Sequence, residues 1–493
     1  MPSPKAGARR RLLLLAGAAL ALGPGPAWAD DLRGALVSAY HTNPALNAAR
    51  ANLRATDQGV AIARADGLPS VNATASETEF LKSNPLNTVS PERVLSASSA
   101  LTVPIYSGGA VRNAVKAADQ RVIAGQADLR GTESGVFAQV VAAYMDVIKN
   151  EAIVRLNHAN VQTLTTNLRA TSDRFQIGDL TRTDVAQSQS RLALAQGNLR
   201  GAQANLANAR ETYIQLVGKA PTDLQPPPPL PGLPAHADEA TAYALEHNPD
   251  LDAARERAKA AGFDVGSARA ARLPKLSLFA NGGYTDYMGS LVVPGLAAGA
   301  LKQSYTTADV GVRATFPLFQ GGRPTAQIRQ AQAREGAAME SEIGAERAVI
   351  AQVRAAFSSW QAANEIITST QTAVDAASLS LEGVRAENSV GNRTILDILN
   401  AEQELVNAQV QLVTARRNAY VAGFSLLAAM GKAEATSLGL DGGPLYDPNV
   451  HFKAVRHDIW DWGSDPKPKP QATRTVDTPA QDGSIASKKT GAK

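Results

Sequence analysis

Proline is absent from Ile105 to Ala220 and again from Thr325 to Gly443, in a chain that carries 27 prolines. Proline deletes a helix hydrogen bond and clashes with the preceding turn, so two empty runs of more than a hundred residues predict very long helices. Each run is interrupted once by a short polar turn. The first is Gln176-Ile177-Gly178-Asp179-Leu180-Thr181-Arg182-Thr183-Asp184-Val185, and the second is Ser389-Val390-Gly391-Asn392-Arg393-Thr394-Ile395-Leu396-Asp397-Ile398-Leu399. Both read Gly-x-x-Thr-x-x-Asp, and 213 residues separate Gly178 from Gly391. Glycine can close a helix in the left-handed conformation. Threonine then supplies an N-cap oxygen, and aspartate three residues on meets the positive end of the next helix. One such turn is an ordinary corner between helices. Two in register, each inside a proline-free run, mark the tip of a helical hairpin as a functional element.

The same offset of 213 pairs Leu192 with Leu405, Gln196 with Gln409, Leu199 with Leu412 and Asn205 with Asn418. Upstream the offset is 205, and 13 of the 27 positions from Asn43 to Pro69 match Asn248 to Pro274. The matched Asn-Pro and Leu-Pro steps argue for duplication rather than shared alanine content. Each copy opens with a short helix started by Asn-Pro and stopped at Leu-Pro.

After each Leu-Pro the period changes from helical to two. Lys275–Asn281 and Asp309–Phe316 alternate, with Val310, Val312, Ala314 and Phe316 on one face and Asp309, Gly311, Arg313 and Thr315 on the other. Ser70–Glu77 and Ser98–Ile105 are the more polar counterparts. Alternation fits a half-buried sheet as well as a lipid-facing barrel wall. Connections of about twenty residues (Phe80–Ser96 and Asp286–Thr306) join each pair, and the offset between the copies grows from 205 to 213 across them, a length change that exposed loop tips tolerate. The pairs close on Pro104-Ile105-Tyr106-Ser107-Gly108-Gly109 and Pro317-Leu318-Phe319-Gln320-Gly321-Gly322.

About 68 residues lie between Gly109 and Gly178, enough for a helix of roughly 100 Å. No globular core of this size requires that length. Beyond the turns, Val185, Leu192, Leu199, Leu206 and Tyr213 recur every seven residues, followed by Ser188, Ala195, Ala202 and Ala209. The second copy gives Ile398, Leu405, Leu412, Ala419 and Leu426 with Ala401, Ala408, Ala415 and Ala422. Such a repeat fits left-handed supercoiling with close helix approach, and it also fits an ordinary bundle core.

The N-terminus has Lys5, Arg9, Arg10 and Arg11, an apolar stretch from Leu12 to Leu22, and Ala27-Trp28-Ala29. This is the pattern of a secretory signal over residues 1–29, cleaved before Asp30. Its apolar run is shorter than the ~20 residues a membrane-spanning helix needs. Removing it takes away four basic residues and no acidic ones, so the net charge falls from +4 to zero. The basic balance belongs to the signal and gives no reason for a nucleic-acid partner. No cysteine is present, which excludes disulfides and a lipid-modified N-terminal cysteine.

The expected organisation is a first repeat over 30–220 with strands in 70–105 and a tip near 176–185, then a proline-rich linker over 221–237. A second repeat over 238–443 follows, with strands in 275–318 and a tip near 389–399. Residues 444–464 are expected to pack on the middle of the helical body, and 465–493, poor in large apolar groups, to be disordered.

With the paired Pro-x-aromatic-x-Gly-Gly segments, the Ser389–Leu399 turn and Leu445-Tyr446-Asp447-Pro448, residues 31–460 resemble the TolC-like outer-membrane efflux proteins. The resemblance implies a mainly α fold with a membrane β-barrel. Three protomers would each give four strands to one barrel that continues into an α-helical periplasmic tunnel, closed at its far end by the hairpin tips. It implies a Gram-negative outer-membrane channel, the exit duct of a tripartite efflux or type I secretion system. Its partners would be a periplasmic adaptor, an inner-membrane pump or ABC transporter, and outer-membrane lipid, with no cofactor and no metal.

The resemblance places gate contacts at Thr183, Asp184 and Arg393, with Asn388 standing where the best-known members have tyrosine. Asp397 matches a constriction aspartate, while Asn400 replaces a second one, implying a less negative ring. Ile177, Gly178, Val390 and Gly391 match positions that dock the adaptor. Against an enzyme, the six histidines show no metal spacing, and no Gly-x-Ser-x-Gly, HExxH or P-loop pattern occurs. The rival expectation is a periplasmic coiled-coil adaptor or structural protein, which would have no need of a strand pair with each hairpin.

Overall fold

The computed structural model describes residues 31–82, 91–292, 296–297, 300–440 and 443–485. The expected signal segment, residues 1–29, lies outside the described residues.

Each repeat builds two short helices, two strands and one long helical hairpin. The first comprises α1 (Leu32–Thr42), α2 (Pro44–Ala65), β1 (Ser70–Glu79), β2 (Arg93–Tyr106), α3 (Ala110–Gln176) and α4 (Arg182–Val217). The second comprises α5 (Ala237–His247), α6 (Pro249–Arg269), β3 (Lys275–Asp286), β4 (Ser304–Thr315), α7 (Arg323–Ser389) and α8 (Ile395–Ala429), with α9 (Pro448–Val455) after it. The helices α3 and α7 are both 67 residues long, about 100 Å at 1.5 Å per residue. Among the described residues no helix is long and apolar enough to cross a membrane.

The Asn-Pro steps do more than start a helix. Asn43 Oδ1 accepts from the amides of Ala45 and Leu46, and its Nδ2 donates to Leu216 O of α4 at 3.0 Å. Asn248 repeats this with Asp250, Leu251 and Ala429 O of α8 at 2.9 Å. A buried asparagine thus joins the base of each hairpin to its short helix, satisfying carbonyls that a helix C-terminus would leave orphaned. The helices α1 and α5 that lead into these steps were not expected from the sequence.

The core sits at this level. Tyr40, Phe137, Tyr144 and Tyr213 are buried together with Leu36, Leu206 and Phe424. Tyr144 Oη donates to Gln225 O at 2.6 Å and Tyr420 Oη to Pro228 O at 3.2 Å, which pins the proline-rich linker to both hairpins. Burial pushes the Tyr420 hydroxyl up to about 12. Toward the tips the alanine stripe closes the coils: Ser188, Ala195, Ala202 and Ala209 are buried in the first hairpin, and Ala401, Ala408 and Ala415 in the second.

The four strands form one antiparallel sheet in the order β1-β2-β3-β4. They run further into the loops than expected, since serine, threonine and glycine continue the ladder without a strong alternation signal; β4 ends at Thr315, short of the expected 318. Register puts Val71, Leu101, Ala280 and Val310 in one cross-strand row and Asn72, Ala100, Asn281 and Asp309 in the next, on the opposite face. The polar face carries its own bonds, Thr74 to Ser98 at 2.8 Å, Ser76 to Ser96 at 2.9 Å and Asn281 to Asp309 at 2.8 Å. On the same face the Phe279 ring lies over Gly311, where a Cβ would approach to 2.8 Å, and Arg313 stacks on that ring at 4.8 Å. Among the described residues, both sheet edges, β1 and β4, are unpaired.

The C-terminal segment departs from expectation. Instead of staying at mid-body, it starts there, with Tyr446 N donating to Tyr40 Oη at 2.9 Å, and climbs toward the strands. Along the way His451 Nδ1 meets Asp57 Oδ2 at 2.7 Å, Arg456 pairs with Asp119 at 3.0 Å, and Arg64 reaches Arg456 O and His457. Of the residues expected to be disordered, 465–485 are described and return to the core level, while 486–493 lie outside the described residues. Gln481 N donates to Glu211 at 2.8 Å, Arg210 donates to the carbonyls of Asp482 and Ser484 at 2.9 Å each, and Ile485 packs against the core. Backbone hydrogen bonding to α4 substitutes for the apolar surface the segment lacks.

Candidate gate at the hairpin tips

Each tip is made by local chemistry that its sequence dictates. Gly178 and Gly391 take φ of 85° and 84°, values costly for any residue with a Cβ. Thr181 and Thr394 then cap α4 and α8 in matching capping boxes. Asp184 Oδ2 accepts from Thr181 N at 2.9 Å and Oγ1 at 2.7 Å, and Asp397 Oδ2 accepts from Thr394 at 2.9 and 2.8 Å. These bonds favour the charged carboxylate and hold both aspartates below their ordinary range. The Thr181 side-chain bond is the larger cause for Asp184, and the Thr394 amide for Asp397.

The two tips carry ion pairs of opposite polarity. In the first, Arg174 at the end of α3 pairs with Asp179 in the turn at 2.6 Å; in the second, Glu387 at the end of α7 pairs with Arg393 at 2.7 Å. Asn388 Nδ2 donates to Arg393 O at 2.6 Å, so the residue in the tyrosine's place braces the turn that carries Arg393. Within the chain Arg393 therefore serves its own hairpin, and Asp184 its own cap. Thr183 is exposed beside it. Ile177 and Val390, 80% and 70% exposed, stand beside the two glycines as bare apolar groups on the tips.

A layer above the tips joins the two hairpins, and sequence reasoning missed it. Glu402 of α8, 4% exposed, accepts from Asn167 of α3 at 3.0 Å and from Arg385 of α7 at 2.8 Å. Arg191 of α4 donates to Asn400 of α8 at 2.6 Å, and Leu164, Ala195 and Leu399 bury a small apolar contact between them. The signal was a broken repeat: at the offset of 213, Asn167, Arg385 and Glu402 correspond to Ser380, Ser172 and Gln189. Positions that are serine in the other copy, Asn167 and Arg385 here, converge on one buried carboxylate, Glu402, where the other copy has glutamine.

Comparison with known proteins agrees with this architecture. The chain is 34% identical over 438 residues to the outer membrane efflux protein BepC of Brucella suis, covering 88% of this chain and 92% of that protein. It is 28% identical to the outer membrane protein TolC of Escherichia coli over 426 residues, covering 82% of each. Among solved structures, the CmeC outer membrane channel of Campylobacter jejuni superposes with a TM-score of 0.73 at 18% identity, covering 86% of this chain and 89% of that one. The open state of the MtrE outer membrane channel of Neisseria gonorrhoeae gives a TM-score of 0.65 at 21% identity, covering 81% and 88%. The model of the outer membrane efflux protein family matches residues 35–219 and 242–432, once for each repeat. By both its sequence and its fold, this chain belongs to the outer membrane efflux protein family.

Proposed function

We propose that the protein works as a homotrimeric outer-membrane duct, the exit channel of a tripartite efflux or type I secretion system, and that it performs no catalysis. The observation that carries this is the four-stranded sheet. It has one apolar and one polar face and two unpaired edges, and each repeat feeds it into a helix of 67 residues. An open edge in lipid leaves backbone groups unsatisfied at a cost of several kcal/mol each, so a membrane sheet must close. Three copies joined β1 to β4 close it, with the polar face lining the lumen, and continue as a helical tunnel into the periplasm.

Thr183, Asp184 and Arg393 then gate the far end, with Asn388 bracing Arg393, and Asp397 and Asn400 at the constriction. The capping bonds occupy Oδ2 of Asp184, and Oδ1 is the oxygen offered to a neighbouring Arg393. Ile177, Gly178, Val390 and Gly391 dock the helical hairpins of a periplasmic adaptor, which links the duct to an inner-membrane pump or ABC transporter. Alkaline protease secretion, pyoverdine export and cobalt-zinc-cadmium resistance are named for relatives at 24–29% identity. The same duct therefore suits several cargoes, the choice of which rests with the pump.

The test uses the chain's lack of cysteine. Single cysteines on the polar face of β1 at Thr74 and of β4 at Thr307, with their neighbours scanned, should give disulfide-linked trimers in isolated outer membranes. Recovery of the protein as a soluble periplasmic species, without such cross-links, would favour the coiled-coil adaptor instead.

A further inference from the structure

The C-terminal segment makes an excursion that the core does not need. From Tyr446 at the core level it climbs beside α2, holding Asp57 through His451 and reaching Arg64 through Arg456 O and His457. By Thr473 it is back beside Gly218 and Thr42 at the core level. The eleven residue steps from Trp462 to Thr473 can span ~36 Å when extended, which matches the ~33 Å length of the 22-residue α2. The chain is therefore a loop that goes up and returns, and its apex is Ile459-Trp460-Asp461-Trp462.

That apex lies at the end of the sheet where strands become helices. Arg64, which binds His457, is six residues before Ser70, the first residue of β1. Ile459, Trp460 and Trp462 are 71%, 70% and 87% exposed, and the remaining described tryptophan, Trp360, packs in a core cluster. Exposed apolar groups recur at this rim on the strand ends, including Tyr106, Phe316 and Phe319. Tryptophan favours the water–hydrocarbon boundary, where its ring meets acyl chains and its N–H meets headgroups.

We infer that Trp460 and Trp462 form a membrane anchor that inserts into the headgroup region of the periplasm-facing phospholipid leaflet, beside the foot of the barrel. The apex carries Asp458, Asp461 and Asp465 against Lys467 and Lys469, so charge does not drive the contact. Ring insertion does, and the anchor should not depend on anionic lipid. In a chain with no cysteine for acylation, it gives the C-terminus a second hold on the membrane. The inference rests on the sheet's place in the membrane, not on the gate or the adaptor.

Tryptophan fluorescence of the full-length protein in phosphatidylethanolamine–phosphatidylglycerol vesicles tests it, with phospholipid brominated near the carbonyl or near the chain end as quencher. The parent should lose about half or more of its emission to the shallow quencher, with weaker loss to the deep one. Trp460→Ser with Trp462→Ser should abolish that loss while the protein still reconstitutes as the same oligomer. Phosphatidylglycerol content should make no difference to the quenching. Equal quenching of parent and double variant would overturn the anchor. So would blue-shifted, unquenched emission from the parent, which places the rings against a neighbouring protomer. A protein that fails to enter vesicles at all would count against the barrel itself.

Discussion

Glu402 of α8 accepts hydrogen bonds from the Asn167 side chain of α3 through both carboxylate oxygens, at 3.0 Å each, and so ties the two hairpins together just above their tips. Arg385 of α7 supplies the compensating charge at 2.8 Å. A buried carboxylate stripped of one donor carries a desolvation cost of roughly 1–3 kcal/mol. Asn167→Ala should therefore lower the unfolding free energy by about that amount. It should also raise single-channel conductance, since the hairpins lose a joint. Planar-bilayer recording alongside thermal unfolding checks both, and unchanged conductance with lowered stability would confine the joint to folding.

Arg393 pairs with its own Glu387 at 2.7 Å, and in the proposed trimer Asp184 of a neighbouring protomer is the competing partner. Arg393→Ser should raise conductance, more so together with Asp184→Ala, without reducing trimer yield. Glu387→Gln frees the guanidinium for the neighbour and should leave the channel closed. Both pairs are exposed and sensitive to salt, so the contrast should be largest at low ionic strength. If Glu387→Gln opens the channel as widely as Arg393→Ser does, the arginine acts only within its own hairpin.

The capping boxes predict matched effects in the two repeats. Thr181→Ala and Thr394→Ala should each cost about 1 kcal/mol of local stability, seen as faster amide exchange over the first turn of α4 or α8. The depressed aspartates add a pH dependence. Their contribution is present above the unfolded carboxylate value and lost as pH falls through the lower folded one. Protection of the tip amides, taken relative to their intrinsic exchange rate at each pH, should therefore fall only on strong acidification, and in both hairpins.

Glu133 behaves in the opposite sense. Burial pushes its carboxyl above the ordinary 4.5, partly offset by the Ala435 amide that donates to it. A carboxyl raised in the folded state binds its proton more tightly there, so the stability it confers is present below 4.5 and lost as pH rises through the folded value. Glu133→Gln, which mimics the protonated group, should raise the melting temperature near pH 7, and the gain should shrink toward about pH 4. A variant less stable than the parent at both pH values would show that the charged form is the one the core needs.

Deleting residues 465–493 removes the two carbonyls that Arg210 binds, but leaves its pair with Glu151 at 2.9 Å. The arginine can be rehydrated, so the loss should be about 1–2 kcal/mol, with trimer assembly and export intact. Failure of the truncated protein to reach the outer membrane would make the strap part of the assembly.

The long helices, the duplication and the tip chemistry were legible in the sequence because each is local. Missing prolines, Gly-x-x-Thr-x-x-Asp and an alanine every seven residues act through backbone geometry within a few turns. The helices α3 and α7, the positive φ of Gly178 and Gly391, and both capping boxes follow from them directly. Tertiary structure decided what joins one repeat to the other. The sequence places Asn167 and Glu402 235 residues apart, each unremarkable on its own helix, and only the packing of the hairpins makes one the answer to the other's burial. The C-terminal segment is a similar case. Composition argued for disorder because apolar surface is scarce, yet α4 supplies polar partners in Arg210 and Glu211 that no count of hydrophobic residues reveals. Local propensity sets the elements, while the meeting of distant polar groups depends on the fold that brings them together.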